Sequence, residues 1–527
     1  MPSRLPRIRY VRWLLTSPLT PWWRFWAGII ALCTFSSCYI LYTKQFDWSG
    51  QGMILITESI IDLNVTGSDR TSSWAEDDAF VLSSPVKSQK LVLFSPVHSR
   101  KFQQTHFNCR AIFSGDKEET KRAATIAELL AADERNTTYY SAKPDTKRLV
   151  KVLKRKVKKW SWEFKELTTK WYLNATKDCD WFKQTRGYIT SSLTQEEEEF
   201  PLAFSMLVFK DFEMAERLLR TVYRPQNLYC IHVDSKADPE FYTAFQSLAS
   251  CFPGNVRMSS RRVNVTWGTF TVLEPELICM KDLWDLDNHA AVHRDEANAQ
   301  SVNSQDSVLQ RKRKKWTYFI NLTGQEFPLK TNYEIVGILK AFKGANSQAV
   351  RNTSRAIRRW KSSPPHHIIP SKGELHTVLN RDTIDFILHN DVAKDLIEWL
   401  KTTRIPDETF FATLNFNSKL NIPGTYNGNV KNRLNSYNRY KMWYPSHCSS
   451  GWFVRKVCIL STGDLPELGT TPNMFANKFY LHKDRVVIGC LEEKLFNDTR
   501  DEYRGTKTFD TTVYEQLEFV KNHVPIR

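Results

Sequence analysis

From residue 200 onward, continuous apolar runs alternate with amphipathic ones. PLAFSMLVF (201–209) is apolar throughout, EMAERLLRTVY (213–223) has helical spacing, and NLYCIHVD (227–234) is a second apolar run that ends in an acid. Strand, helix and strand in that compass make a βαβ unit. The theme continues with a helix over 238–252, a short strand near Val256–Ser259 and a helix from Thr271 to Trp284. After a break, WTYFINLT (316–323) predicts a strand and TNYEIVGILKAF (331–342) a helix. The alternation predicts an α/β domain with a mostly parallel central sheet, whose ligands bind beyond the carboxyl ends of the strands. The break, residues 285–315, is polar and ends in RKRKK, which predicts an exposed inserted loop.

Upstream the pattern changes. Residues 117–170 mix charged and apolar positions in helical style, and the basic run Lys151–Lys159 reads as the solvated face of a helix. Residues 43–104, rich in Ser, Asp and Lys, read as a stem. Phe25–Tyr42 (FWAGIIALCTFSSCYILY) is uncharged and follows an arginine-rich tail, residues 1–24. Its length is near the minimum for spanning a bilayer, Trp22 and Trp23 suit the interface, and the arginines hold that end in the cytosol. A cleaved signal peptide fits less well, because the apolar segment is long and no clear small-residue cleavage site follows. The expected organisation is a cytoplasmic tail (1–24), a membrane anchor (25–42), a stem (43–104) and a lumenal body (105–527).

Charge then sharpens the picture. The 527 residues carry 74 basic and 57 acidic side chains, a net charge of +17, which invites a nucleic-acid reading. Sixteen of the basic residues lie in the tail, in Lys151–Lys159 and in Arg311–Lys315, so the remainder is almost neutral. No nucleic-acid partner is expected, and a nuclear signal in RKRKK conflicts with the anchor. Eight cysteines lie beyond the anchor without a CxxC pair, which fits structural disulfides better than a zinc site. Sequons at Asn64, Asn136, Asn174, Asn264, Asn321, Asn352 and Asn497 agree with a lumenal body; Asn264 and Asn321 sit inside patterned segments, where a glycan is not expected.

The common motif chemistries are missing: no Walker loop, GxGxxG, HExxH or GxSxG occurs. Two D-x-D triplets, Asp178–Asp180 and Asp285–Asp287, do not end sheet strands and are not expected to hold a metal. His366 and His367 read as loop residues. Pro406–Asp407–Glu408 precedes the apolar TFFATL, so both carboxylates fall at a helix start; N-terminal capping suits Asp407, and Glu408 is a candidate catalytic acid or base. CSSGWFVRKVC (448–458) reads as a disulfide-closed loop presenting Arg455, and FANKF (475–479) sets Lys478 among apolar residues.

Several stretches resemble one family: RGYI (186–189), AFSMLVFKDFEMAERLLRTVYRPQNLYCIHVDSKADPEFY (203–242), WTYFINLTGQEFPLKTNYEIV (316–336), PDETFFATL (406–414), CSSGWFVRKVCILSTGDL and FANKF. They resemble the core 2/I-branching β-1,6-N-acetylglucosaminyltransferases, type II membrane proteins of the Golgi, over roughly residues 105–495. The resemblance implies a GT-A-like nucleotide-sugar transferase domain that binds a UDP-sugar without metal or other cofactor and inverts the anomeric centre. Glu408 falls on the family's catalytic base, Arg455 and Lys478 on its diphosphate-binding cations, and Leu207, Val208, Phe209 and Asp234 on its uridine-binding positions. Trp267 stands where the family usually has Tyr, with an aromatic face for uracil. The disulfide pattern carries over onto Cys109–Cys490, Cys179–Cys251, Cys230–Cys279 and Cys448–Cys458, and Thr323 replaces a free thiol.

The acceptor side departs from the family. Arg359, Lys431 and Trp443 match acceptor-contacting positions, but Gln348 replaces a Glu and Ala356 a Lys, and KGELHTVL (372–379) replaces a glycine-serine-alanine-tyrosine strand. The implied reaction moves N-acetylglucosamine from a UDP-sugar to a 6-hydroxyl of a Galβ1-3GalNAc O-glycan, forming a β-1,6 branch. UDP-glucose as donor, a protein xylosyltransferase-like activity and a non-catalytic lectin-like role are the alternatives; Glu408, Arg455 and Lys478 together favour catalysis.

Overall fold

The computed structural model describes residues 79–83, 90–94, 106–134, 147–160, 165–297, 314–351, 356–429 and 434–526. The expected tail and anchor (1–24 and 25–42) lie outside them, and no helix among the described residues is long and apolar enough to cross a membrane. Within the segment read as a stem, β1 (Ala79–Ser83) and β2 (Lys90–Phe94) pair antiparallel. These two apolar runs are strands that the polar surroundings masked.

Three helices follow: α1 (Cys109–Phe113), α2 (Lys117–Glu134) and α3 (Lys147–Trp160). Val150, Leu153 and Val157 of α3 share a core cluster with Ala123, Ile126 and Leu130 of α2, while Lys151, Lys154, Lys156 and Lys158 stay exposed. The basic run is therefore the solvent face of an amphipathic helix. Then come α4 (Thr169–Ala175) and α5 (Cys179–Arg186).

The apolar runs after residue 200 become the central sheet. In chain order these are β3 (Leu202–Val208), α6 (Phe212–Val222), β4 (Leu228–Val233), α7 (Pro239–Ser250), β5 (Val256–Met258), α8 (Glu274–Ala297) and β6 (Tyr318–Thr323). Next are β7 (Glu326–Pro328), α9 (Asn332–Ala341), β8 (Val350–Arg351), β9 (Lys372–Gly373) and β10 (Val378–Asn380). The sheet order is β5-β4-β3-β6-β10, parallel except for the antiparallel edge strand β10. Alternate residues of a strand face opposite sides. Phe204, Met206 and Val208 cluster with Leu218, Phe245 and Ile338 of α6, α7 and α9, whereas Ala203 clusters with Met280 and Leu283 of α8. The molecule is thus mixed α/β with a mostly parallel sheet covered on both faces.

One boundary differs from expectation. Helix α8 does not stop at Trp284 but continues through Ala297, so the first part of the segment read as an inserted loop is helical. Asp287 explains the extension: it is buried and pairs with Arg381 at 2.7 Å, and that guanidinium lies between Trp284 and Trp316, 4.3 and 4.4 Å from their ring centroids. Arg381 opens α10 (Arg381–His389), which leads to α11 (Asp391–Leu400) and α12 (Phe410–Asn415). Residues 298–313 lie outside the described set.

A second sheet stands beside the first. It joins β11 (Arg439–Tyr440), β14 (Phe475–Asn477) and β7, with Asn477 opposite Glu326, and is followed by α13 (Arg485–Tyr503). Between β11 and β14, β12 (Phe453–Val454) and β13 (Val457–Cys458) form a hairpin. Disulfides join Cys109 to Cys490, Cys179 to Cys251, Cys230 to Cys279 and Cys448 to Cys458. They tie α1 to α13, α5 to the end of α7 and β4 to α8, and close the loop that contains the hairpin.

Buried charge is paired. Arg186 donates to Glu216 at 2.5 Å, Arg220 to Glu492 at 2.5 Å, and Arg485 to Glu213 at 3.0 Å, linking α5, α6 and α13. At the junction of the two sheets Glu326 accepts from Arg439 at 2.5 Å, from the Thr323 hydroxyl at 2.7 Å and meets the His376 ring at 2.5 Å. Burial alone would push the Glu326 carboxyl up; Arg439 and His376 override it and hold it down at about 2. Removing one partner strands the other charge in the interior. Glu326→Ala is therefore expected to lose about 3–5 kcal/mol of stability, read from the urea midpoint; an unchanged midpoint would show that the junction does not depend on this pair.

Candidate active site

The carboxyl ends of β3, β4 and β6 open on one side. Gly324 follows β6 and its N–H binds the carbonyl of Leu207 at 3.0 Å; a Cβ there would meet Val208 Cγ1 at 3.1 Å, so glycine permits this close approach. Leu207 is half-buried and Val208 buried, whereas the next ring, Phe209, is 54% exposed. At the end of β4, Asp234 Oδ1 accepts from the backbone N–H of Lys236 at 2.9 Å and of Val265 at 3.4 Å. Burial holds His232 down at about 4, and its Nε2 faces Val263 N–H at 2.9 Å. Both contacts fold the loop after β5 against the sheet end.

That loop presents Trp267, 51% exposed, with the Arg455 guanidinium 5.0 Å from its ring centroid. Arg455 and Lys456 form the two-residue turn between β12 and β13 with φ of 51° and 68°. Tight hairpins of this hand need positive φ at both central positions, a cost that the Cys448–Cys458 bond and the strand pairing offset. Lys478 leaves β14 directly after Asn477. Burial pulls its ammonium down, and Arg455, Lys210 and Lys441 pull it further, against the attraction of Glu326. Among the described residues, no carboxylate lies within ion-pair distance of Lys210, Arg455 or Lys478. Cations set close enough to repel one another, with no carboxylate in ion-pair contact, leave a local excess of positive charge on this side.

Glu408 closes the opposite side. It ends a 3₁₀ turn, Pro406–Glu408, and its Oε2 accepts from Arg359 Nη1 at 2.7 Å, with Lys372 Nζ at 3.6 Å. The turn is tied to the Trp267 loop through Ile405 N–H on the carbonyl of Gly268 at 2.9 Å, and to the Arg359 segment through Arg404 N–H on the Arg359 carbonyl at 3.2 Å. Lys372 and Glu374 leave the same strand end, and Glu374 pairs with Lys441 at 2.8 Å and Arg351 at 2.7 Å. Burial would raise the Glu374 carboxyl, but Lys441 and Arg351 hold it down at about 2. Glu408 thus contacts Arg359 and Lys372, Glu374 contacts Lys441 and Arg351, and Arg455 contacts Trp267, whose neighbour Gly268 is bonded to the Glu408 turn.

Other expected residues fall in several places. Gln348 is buried; its Nε2 donates to the Glu374 carbonyl at 2.9 Å and its Oε1 has no partner. Gly373 is forced by this crowding, because a Cβ there would lie 2.6 Å from both the Ala349 carbonyl and the Ala412 side chain. Trp443 is half-exposed and bridges to Val457, beside the Arg455 hairpin. Lys431 lies outside the described residues. Asp178 caps α5 through Trp181 N–H, Asp180 pairs with Lys183, and Asp285 pairs with Lys281, so each triplet has a local structural use. Asn321 is fully buried, but Asn264 is exposed on the Trp267 loop, unlike the shielded position expected of it. Lys210, Lys372, Glu374 and Lys441 were not singled out from sequence, since nothing local marks them as neighbours of Glu408 or Lys478.

Asp407 also departs from expectation. It makes no cap: α12 starts after Thr409 without a side-chain cap bond, and Asp407 is buried with Oδ1 unpartnered. Positive φ at Ile405 turns the chain so that Asp407 points inward while Glu408 is partly open.

The Core-2/I-Branching enzyme family matches residues 202–293 and 301–469. The human "Beta-1,3-galactosyl-O-glycosyl-glycoprotein beta-1,6-N-acetylglucosaminyltransferase" is 34% identical over 355 residues, 62% of this chain and 76% of its own. The human "N-acetyllactosaminide beta-1,6-N-acetylglucosaminyl-transferase" is 35% identical over 328 residues, 58% and 74% respectively. A bovine herpesvirus 4 protein with the first of these names is 34% identical over 359 residues, covering 62% and 75%.

The buried carboxyl predicts a pH effect on stability. Burial, then repulsion from Glu408, pushes Asp407 up to about 7. A carboxyl that ionises less readily in the folded chain costs stability as pH rises from about 4, the unfolded value, and the full cost stands above the folded value. Asp407→Asn removes that cost. Its Tm relative to the parent is expected to rise between pH 5 and pH 8, and a difference that stays flat or shrinks in thermal unfolding would contradict the buried neutral carboxyl.

Proposed function

The chain belongs to the Core-2/I-Branching enzyme family and is a glycosyltransferase; from that premise we propose that it builds β-1,6 branches on O-glycans by an inverting, metal-independent transfer on a GT-A-like domain. The donor is a UDP-sugar, with N-acetylglucosamine favoured, and the acceptor a Galβ1-3GalNAc core; the names of the relatives support this reading. The observation that carries it is the set of cations without an ion-pair partner, Lys210, Arg455 and Lys478, with Arg455 over Trp267, whose neighbour Gly268 is hydrogen-bonded to Ile405 at the head of the Glu408 turn.

In this reading uracil lies against Trp267 and the β3 and β4 ends, and the diphosphate lies on Arg455 and Lys478. Glu408 takes the proton of the acceptor 6-hydroxyl as that oxygen attacks the anomeric carbon in line. The bond to the β-phosphate oxygen breaks with its electron pair, and UDP leaves with one more negative charge. Fixed cations stabilise that charge without reorganisation, which is the service a divalent ion supplies elsewhere. Arg359 holds one Glu408 oxygen and fixes the rotamer of the base. The acceptor pocket is assigned to Arg359, Trp443 and Lys431, with Gln348 buried behind it rather than exposed to the sugar.

The four disulfides support a body that folds in the oxidising lumen, with residues 25–42 as a single-pass Golgi anchor of type II.

Glu408→Gln is expected to lower transfer by at least ~100-fold, the lower end for removing a general base, while UDP binding stays within a few-fold; full activity in that variant would refute the assignment. Incubating the lumenal body with UDP-N-acetylglucosamine or UDP-glucose, a core 1 acceptor and EDTA, followed by linkage analysis, tests the whole reading. A β-1,6-linked N-acetylglucosamine formed despite the chelator is the expected product. A glucose product would replace the donor, and strict divalent-ion dependence would overturn the cation site.

A further inference from the structure

We infer that Lys210 is a third cation of the donor site, one that binds the diphosphate beside Arg455 and Lys478 and is matched to the departing UDP more than to the intact sugar nucleotide. The inference rests on the proposed function. Lys210 lies two residues beyond β3, in the turn at the carboxyl end of the middle strand, where Asp211 adopts φ of 56°. Its ammonium is 5.4 Å from the exposed Phe209 ring centroid and 4.6 Å from the Tyr480 centroid, and Tyr480 is two residues beyond Lys478. Lys210 therefore bridges the uridine side of the site and the segment that presents Lys478.

Lys210 has no carboxylate within ion-pair distance, whereas several other partly buried lysines have one. Lys372, Lys441, Lys494 and Lys507, all half-buried or more, lie against Glu408, Glu374, Asp498 and Glu334. Even Asp211, its sequence neighbour, is beyond ion-pair distance. The Lys210 charge is close enough to Lys478 to depress that ammonium further. Holding like charges together is unfavourable in the empty site and becomes favourable once an anion lies among them.

Charge arithmetic decides which anion. A nucleoside diphosphate sugar carries two negative charges on its diphosphate. When the bond from the anomeric carbon to the β-phosphate oxygen breaks, the electron pair stays on that oxygen and a third charge develops; the acceptor proton goes to Glu408. Two cations match the substrate, whereas three match the charge that appears as the bond breaks. Interactions that strengthen along the reaction lower the barrier rather than merely tightening substrate binding.

The test compares Lys210→Met, which keeps an apolar stem over Tyr480, with Lys210→Arg and with Lys478→Met. Inhibition constants are measured for UDP and for uridine, with kcat and KM for the donor. Lys210→Met is expected to weaken UDP by about 10- to 100-fold, the worth of one hydrogen bond to a charged group. It should leave uridine unchanged and lower kcat more than it raises KM; Lys210→Arg should stay near the parent. Unchanged UDP affinity in Lys210→Met, or equal losses for UDP and uridine, would overturn the inference by reducing Lys210 to packing on Tyr480. If Lys478→Met also leaves UDP affinity untouched, the diphosphate site itself is wrong, and the two failures are told apart.

Discussion

The ion pair of Glu326 and Arg439, both without solvent exposure, is the constraint on which the site is built. Glu326 starts β7 just after the turn that ends β6, and Arg439 belongs to β11, so the pair pins the second sheet to the end of the first. Arg439 also donates to the carbonyl of Asn321 on β6. Asn477, the residue before Lys478, lies opposite Glu326 in the sheet register, and its amide reaches the same carboxylate at 3.4 Å. The position of Lys478 is thereby set from below by a charge pair that solvent does not reach. An apolar pair of equal volume would pack as well, but it would not supply the negative charge that draws on Lys478.

The two kinds of cation in the molecule separate structure from chemistry. Arg186, Arg220, Arg485 and Lys441 are neutralised by carboxylates a hydrogen bond away, and they hold helices and strands together. Lys210, Arg455 and Lys478 occupy a partly open surface at the strand ends without such partners. On the Glu408 side the side chains serve one another: Gln348 supports the backbone carbonyl of Glu374, and Glu374 is locked between Lys441 and Arg351.

Local patterning made the fold legible where an element is buried evenly. The βαβ run from 201 to 234 emerged as β3, α6 and β4 because continuous apolar strands and an amphipathic helix leave few other solutions. Helix α8 was cut short because Asp285 and Asp287 look like solvent residues, and only Arg381, almost a hundred positions away, makes burial of Asp287 affordable. The same limit applies at the site. Glu408, Arg455 and Lys478 could be picked out through the family resemblance, but Lys372 and Lys210 could not, since their meaning comes from what the fold sets against them. Asp407 shows the reverse error: its sequence context suits a helix cap, and one left-handed residue, Ile405, sends it inward instead.

Asn321 carries an acceptor sequence for N-glycans, yet its side chain is consumed by the interior: the amide donates to Glu276 and to the Leu375 carbonyl, and its oxygen accepts from Thr377 N–H. A sugar on that nitrogen is incompatible with the finished sheet. The acceptor sequence at Asn321 is therefore closed to modification in the native fold, its amide already committed to holding β6 against its neighbours.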